Sequence, residues 1–215
     1  MPAIPYVPPE YSIRSVDGEP WVRQGDIYRD VEYIESLNED SDGSTFSISK
    51  LIFPLALVLG QDCDLLSDGA LKNPSLPPGR KRPSNSSAAL ITVLMTPLYN
   101  SEEFFAGNHC SDLIESLFLS TSTVAVPGPI RSTPIHMNSR EPIMKGENAR
   151  FQYMHFNARD PLVDCVIDFK HYFSVKMEYL VSNRRQCFGR IDVPFRESIS
   201  QRFGYFLSRI GLPEG

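Results

Sequence analysis

The run Leu55-Ala56-Leu57-Val58-Leu59, inside LIFPLALVLGQDCDLL, constrains this chain more than any other stretch. Strand side chains alternate between two faces, so five consecutive apolar residues require apolar neighbours on both sides. Such a segment is a central strand, and the rest of the chain must supply a core layer on each face. ALITVLMTPLY reads as a second buried strand, stopped at Pro97. WVRQGDIYRDVEYI reads as one strand or two, with Trp21, Ile27, Val31 and Tyr33 among polar residues and Gly25 as punctuation. LNEDSDGSTFS is a polar turn or loop. Further on, ARFQYMHF, VDCVIDF, HYFSVKMEYLV and QCFGRIDV predict a β meander with short turns.

The C-terminal end has a different period. From Pro194, residues Phe195, Ile199, Phe203, Phe206 and Ile210 recur at helical spacing, with Arg196, Gln201, Ser208 and Arg209 off the stripe. Pro194 suits a first helical position, and Gly211 with Pro213 supplies a stop, so an amphipathic helix over 194–211 is expected. Elsewhere regularity is weak. Residues 67–89 hold few large apolar side chains and read as a flexible excursion with a solvated GRKRP tip. A short helix is expected at Ser111–Leu119, capped by Ser111, whereas 127–148, with four prolines, reads as irregular.

Residues 1–20 carry five of the 18 prolines, so they form an extended segment ahead of a single domain over 21–215. This N-terminus lacks the basic and apolar regions of a signal peptide, and no apolar run reaches membrane-spanning length. Cys63, Cys110, Cys165 and Cys187 include no close pair, so reduced thiols and a cytoplasmic location are expected. The net charge of −5 excludes a generic polycation. The charge is uneven, however. Residues 1–130 carry 8 Lys and Arg against 17 Asp and Glu, and 131–215 carry 13 against 9. An anion-facing surface is therefore expected in the second part.

WVRQGDIYRDV, PLALVLGQDCDL and ALITVLMTP together resemble the PemK-like (MazF-like) toxin barrel. Gly25, Asp26 and Ile27 match its opening strand, Pro54 to Leu59 its second, and Thr96 the threonine ending its third. The resemblance implies a small β-barrel and endoribonuclease activity. That family carries an arginine just before the proline of the second strand, to stabilise charge on the scissile phosphate. Here Ile52 and Phe53 precede Pro54, and neither supplies that electrostatic stabilisation. GQDCDL and FGYFLSRIGLP also resemble a loose set of uncharacterised bacterial proteins, which implies no activity.

Gln61, Asp62, Cys63 and Asp64 are the one dense polar cluster beside a buried strand, and hence the candidate catalytic residues. If the strand continues, Gln61 and Cys63 share the face of Leu55, Leu57, Leu59 and Leu65, and the thiol is core. Asp62 and Asp64 then lie side by side. That pair holds a metal only with a further ligand, and His109, His155 and His171 lie at no metal-ligand spacing from one another. If the strand breaks at Gly60, Cys63 emerges at a turn and needs a base such as His109 or His155. His155 and His171 are expected on strand faces. Asp168, among apolar neighbours, needs a donor, for which Arg184, Arg185 and Arg190 are candidates. Arg184, Arg185, Arg190, Arg196, Arg202 and Arg209, with Phe188, Phe195 and Tyr205, are the raw material of a single-strand-binding surface or simply a solvated face.

The chain is accordingly expected to be mainly β, a small partly open PemK-like barrel with long insertions and a C-terminal helix. Its expected role is that of a prokaryotic accessory protein of toxin or defence type, without a cofactor, contacting a partner protein or nucleic acid. An enzyme centred on Gln61–Asp64 is the alternative, and a PemK-like endoribonuclease the third.

Overall fold

The computed structural model describes residues 6–39, 46–72, 89–110 and 137–209. The long hairpin of β3 (Asp26–Glu39) and β4 (Phe46–Val58) is its axis. These strands pair antiparallel from Ile27↔Leu57 to Glu39↔Phe46, with a register shift between Ile34 and Ser36. The polar stretch at its tip therefore costs fewer residues than expected, because strand pairing extends through Asn38 and Ser47. β5 (Thr92–Pro97) lies against β4, and β9 (Phe173–Lys176) against β5. On the other side β10 (Cys187–Ile191) pairs with β3, and β2 (Ile13–Arg14) with β10. The six-stranded order is β2-β10-β3-β4-β5-β9.

A second sheet, ordered β1-β7-β8-β6, contains β1 (Glu10–Tyr11), β6 (Tyr99–Asn100), β7 (Phe151–Phe156) and β8 (Cys165–Asp168). The four strands expected as one meander are thus divided between two sheets, and no closed barrel forms among the described residues. The chain is mainly β with a C-terminal helix.

β4 behaves as its apolar run requires. Ala56 and Val58 join one buried cluster with Tyr28, Val93, Met95 and Phe104, while Leu57 and Leu59 join another with Ile27, Ile167 and Ile191. The helices are α1 (Asp62–Lys72), α2 (Ser101–Ala106), α3 (Met137–Met144), α4 (Met177–Ser182) and α5 (Phe195–Ser208). α5 closes the second cluster with Ile199, Phe203 and Phe206, as the sequence period predicts. Its expected end at Ile210 and Gly211 lies outside the described residues, as does the helix expected at Ser111–Leu119.

Four expectations are corrected. Residues 137–144 are helical despite Pro142, so the 127–148 segment is not irregular throughout. The run HYFSVKMEYLV is strand only to Lys176, after which Met177 and Leu180 are buried from α4. The proline-rich N-terminal segment is not separate from the domain, because β1 and β2 add an edge to each sheet and Tyr11 is buried. The fourth concerns Gln61–Asp64. The strand stops at Val58, and α1 starts at Asp62, so period-two alternation does not reach Cys63.

Gly25 sits where these parts meet. Its φ is +83°, and a Cβ there would lie 2.9 Å from Arg196 Cβ on α5. Its N–H donates to Val58 O and its carbonyl accepts from Ile191 N, each at 3.0 Å. Only glycine serves both the backbone conformation and the close approach.

Candidate functional site

Helix α1 gives the Gln61–Asp64 cluster its geometry. Gln61 precedes the helix and its carbonyl accepts from Leu65 N at 3.1 Å, while Asp62 and Asp64 place negative charge in the first turn. Helical spacing then separates the two carboxylates. Asp62 accepts from Arg23 Nε at 2.6 Å and from Gln24 N at 3.3 Å, pairs with Arg23 Nη2, and lies 3.6 Å from Arg196 Nη2. Burial raises the Asp62 carboxyl, but the hydrogen bonds and charge of Arg23, with Arg196, outweigh it and hold the group below its ordinary value. Asp64 is exposed, and the side-by-side pair is not formed.

Cys63 is exposed rather than core. Among the described residues the contacts of its Sγ are Gln61 Oε1 at 3.7 Å and Asp64 Oδ1 at 3.6 Å, with no imidazole. The break at Gly60 that a nucleophile needs is present, but the base is not beside it. Asp62 instead clasps the Arg23 turn and helix α5 together. Cys63 is expected to alkylate in the native protein ahead of Cys165, whose thiol is buried and thereby pushed up to about 12. Mass spectrometry after a short iodoacetamide pulse reads the order, and Cys165 labelling first would contradict the placement.

Other polar residues have found partners that the sequence did not indicate. Asp168 is buried, but its donors are Arg150 Nε at 2.7 Å and Arg150 Nη2, not Arg184, Arg185 or Arg190. The β7–β8 register explains this, since Phe151 opposes Asp168 and Arg150 is the adjoining residue. Arg184 and Arg190 lie in the other sheet's neighbourhood, where both bind Asp26. His155 is on strand β7 as expected, with Nδ1 3.0 Å from Asp164 Oδ1, and Tyr153 O–H donates to the same carboxylate at 2.5 Å. His171 ends a 3-10 turn, Phe169–His171, rather than lying on a strand.

The arginines of the expected binding surface are dispersed. Arg196 is largely buried between Asp62 and Glu197. Arg202 donates to the carbonyls of Phe151 at 2.9 Å and of Gly146 and Asn148 at 2.6 Å, which pins the end of the α3 loop. Arg209 is exposed, 5.9 Å from the Tyr205 ring. It joins residues that sequence reasoning missed, since Asn148, Arg150, Lys170, Arg209 and Phe206 line an open pocket of about 310 Å³. Lys170 and Arg209 are exposed and have no carboxylate partner among the described residues. The positive balance after residue 130 was the available signal, but which cations converge depends on strand register. No protein-family model, curated protein or solved structure matches the chain.

Proposed function

We propose that this chain is a non-catalytic accessory protein of toxin or defence type that holds single-stranded nucleic acid at the Asn148–Arg150–Lys170–Arg209 pocket. The supporting observation is the convergence of Lys170 and Arg209, which have no carboxylate partner among the described residues, with Arg150 over the apolar floor of Phe206. Two exposed aromatic rings are close by in the chain: Tyr205, one turn before Arg209, and Tyr172, two residues after Lys170. Cations that track phosphates and rings on which bases stack are the ingredients of sequence-tolerant single-strand binding. A cytoplasmic location belongs to the same proposal, and four unpaired cysteines support it.

A PemK-like ancestry is supported by strand order, since the Gly25-Asp26-Ile27 strand, the Pro54–Leu59 strand and the strand ending at Thr96 are successive antiparallel neighbours. The ribonuclease activity has no such support, because Phe53 is buried in the core where that family presents an arginine.

Fluorescence anisotropy with labelled RNA and DNA oligonucleotides tests the proposal. Three phosphate contacts give a slope of about −2 in log affinity against log salt, at roughly −0.7 per contact for single strands. Lys170→Glu combined with Arg209→Glu should abolish binding and leave stability within about 0.5 kcal/mol, as surface changes do. Absence of binding at low salt, or binding unaffected by the double variant, overturns the proposal; the first outcome leaves a protein partner.

A further inference from the structure

A second constellation lies away from Gln61–Asp64 and is independent of the nucleic-acid proposal. His109 and Cys110 follow helix α2, and His171 ends the turn after β8. Pairing of β6 with β8 (Tyr99↔Val166, Asn100↔Cys165) brings these distant segments together. One ligand atom from each of His109, Cys110 and His171 lies within 4.8 Å of the other two. A tetrahedral ion with Zn–N near 2.0–2.1 Å and Zn–S near 2.3 Å needs them roughly 3.3–3.8 Å apart, a contraction of about 1 Å.

We propose that His109, Cys110 and His171 form a binding site for a borderline transition-metal dication of the zinc type, with two imidazoles and a thiolate as ligands. The ligand chemistry selects this class, since nitrogen and sulfur donors suit zinc and its neighbours and not magnesium or calcium. The surroundings prepare the donors. Tyr99 Oη lies 2.9 Å from His171 Nδ1; in the tautomer with Nδ1–H the hydroxyl oxygen accepts it and the Nε2 lone pair is left for the ion. Asp168 Oδ2 lies 3.7 Å from that Nε2 and places negative charge beside the cation. His109 Nδ1 is buried with no hydrogen-bond partner among the described residues, a costly state for a ring nitrogen that a metal bond would relieve.

On binding, the Cys110 S–H bond breaks, the proton passes to solvent and a sulfur–metal bond forms. Three protein ligands leave a fourth tetrahedral position for water or an incoming oxygen ligand. His109 also lines a cleft of about 270 Å³, with Phe53, Leu55, Leu98, Leu162 and Glu103 among its walls.

Titration of the chelator-treated full chain with Co²⁺ alone, followed by absorption spectroscopy, tests the site. The expected result is uptake of one equivalent, with tetrahedral d–d bands and a thiolate-to-cobalt charge-transfer band, both lost when Zn²⁺ displaces the cobalt. Cys110→Ser should remove the charge-transfer band while circular dichroism stays unchanged. Tyr99→Phe should weaken binding about 10- to 100-fold and keep the band, as loss of an orienting partner does. No stoichiometric uptake by the folded wild type, or an intact charge-transfer band in Cys110→Ser, overturns the proposal.

Discussion

Replacing Asp26 by alanine is expected to cost about 3–5 kcal/mol, the range for breaking a buried charge pair by removing one partner. Asp26 and Arg190 both have fully buried side chains. The carboxylate accepts from Arg190 Nε at 2.5 Å, Arg184 Nη1 at 2.7 Å and the Arg23 N–H at 2.8 Å. Glu19 accepts from Arg190 Nη1 at 2.7 Å, so two carboxylates neutralise two guanidinium groups. Without Asp26 two buried cations share one acid, and neither can regain water without opening the sheet. Chemical denaturation of Asp26→Ala reads the cost directly. A loss below about 1 kcal/mol would show that the arginines re-pair or rehydrate freely. Combining Asp26→Leu with Arg190→Met should cost less than the two single changes summed, because an apolar pair removes both desolvation penalties together.

Phe203→Ala is the second large effect, expected at about 3–5 kcal/mol for a buried phenylalanine. Its ring centroid lies 5.6 Å from that of Phe169 and 5.2 Å from that of Tyr172, so truncation opens a cavity between α5 and the Phe169–His171 turn. Tyr205→Ala, on the outer face of the same helix, should stay within about 0.5 kcal/mol. Equal losses in the two variants, by denaturant titration, would contradict the assigned helix face.

The contrast between these two residues marks what a sequence can disclose. Phe203 was legible because its neighbours in the core stripe are four and three residues away, and a local period reports a local face. Leu57 was legible for the same reason at period two. Asp26 was not, since its partners Arg184 and Arg190 are set by the β3–β10 register, which no nearby residue encodes. Helix α1 is not legible from alternation, because Leu65 extends that of β4 by chance. The better signal was Gly60 followed by acids in a first helical turn and then Leu65-Leu66, both buried on one side. The cluster of His109, Cys110 and His171 failed for a third reason. Ligand spacing along the chain is informative only where one element carries several ligands, and here a strand pairing assembles them.

The pairing of β2 with β10 and the Asp26–Arg190 contact, 164 residues apart in the chain, bear on how the molecule is made. Strands β2 and β3 are synthesised well before β10, the strand that seats them. Until then Asp26 and Glu19 remain hydrated, and Ile27 and Leu57 have one of their two core layers without Ile191 and α5. Contacts this distant also close large loops, which slows folding in proportion to their share of the total. The six-stranded sheet is therefore completed only when β10 arrives, and the interval before it is when an unpaired β3 edge is available to other chains.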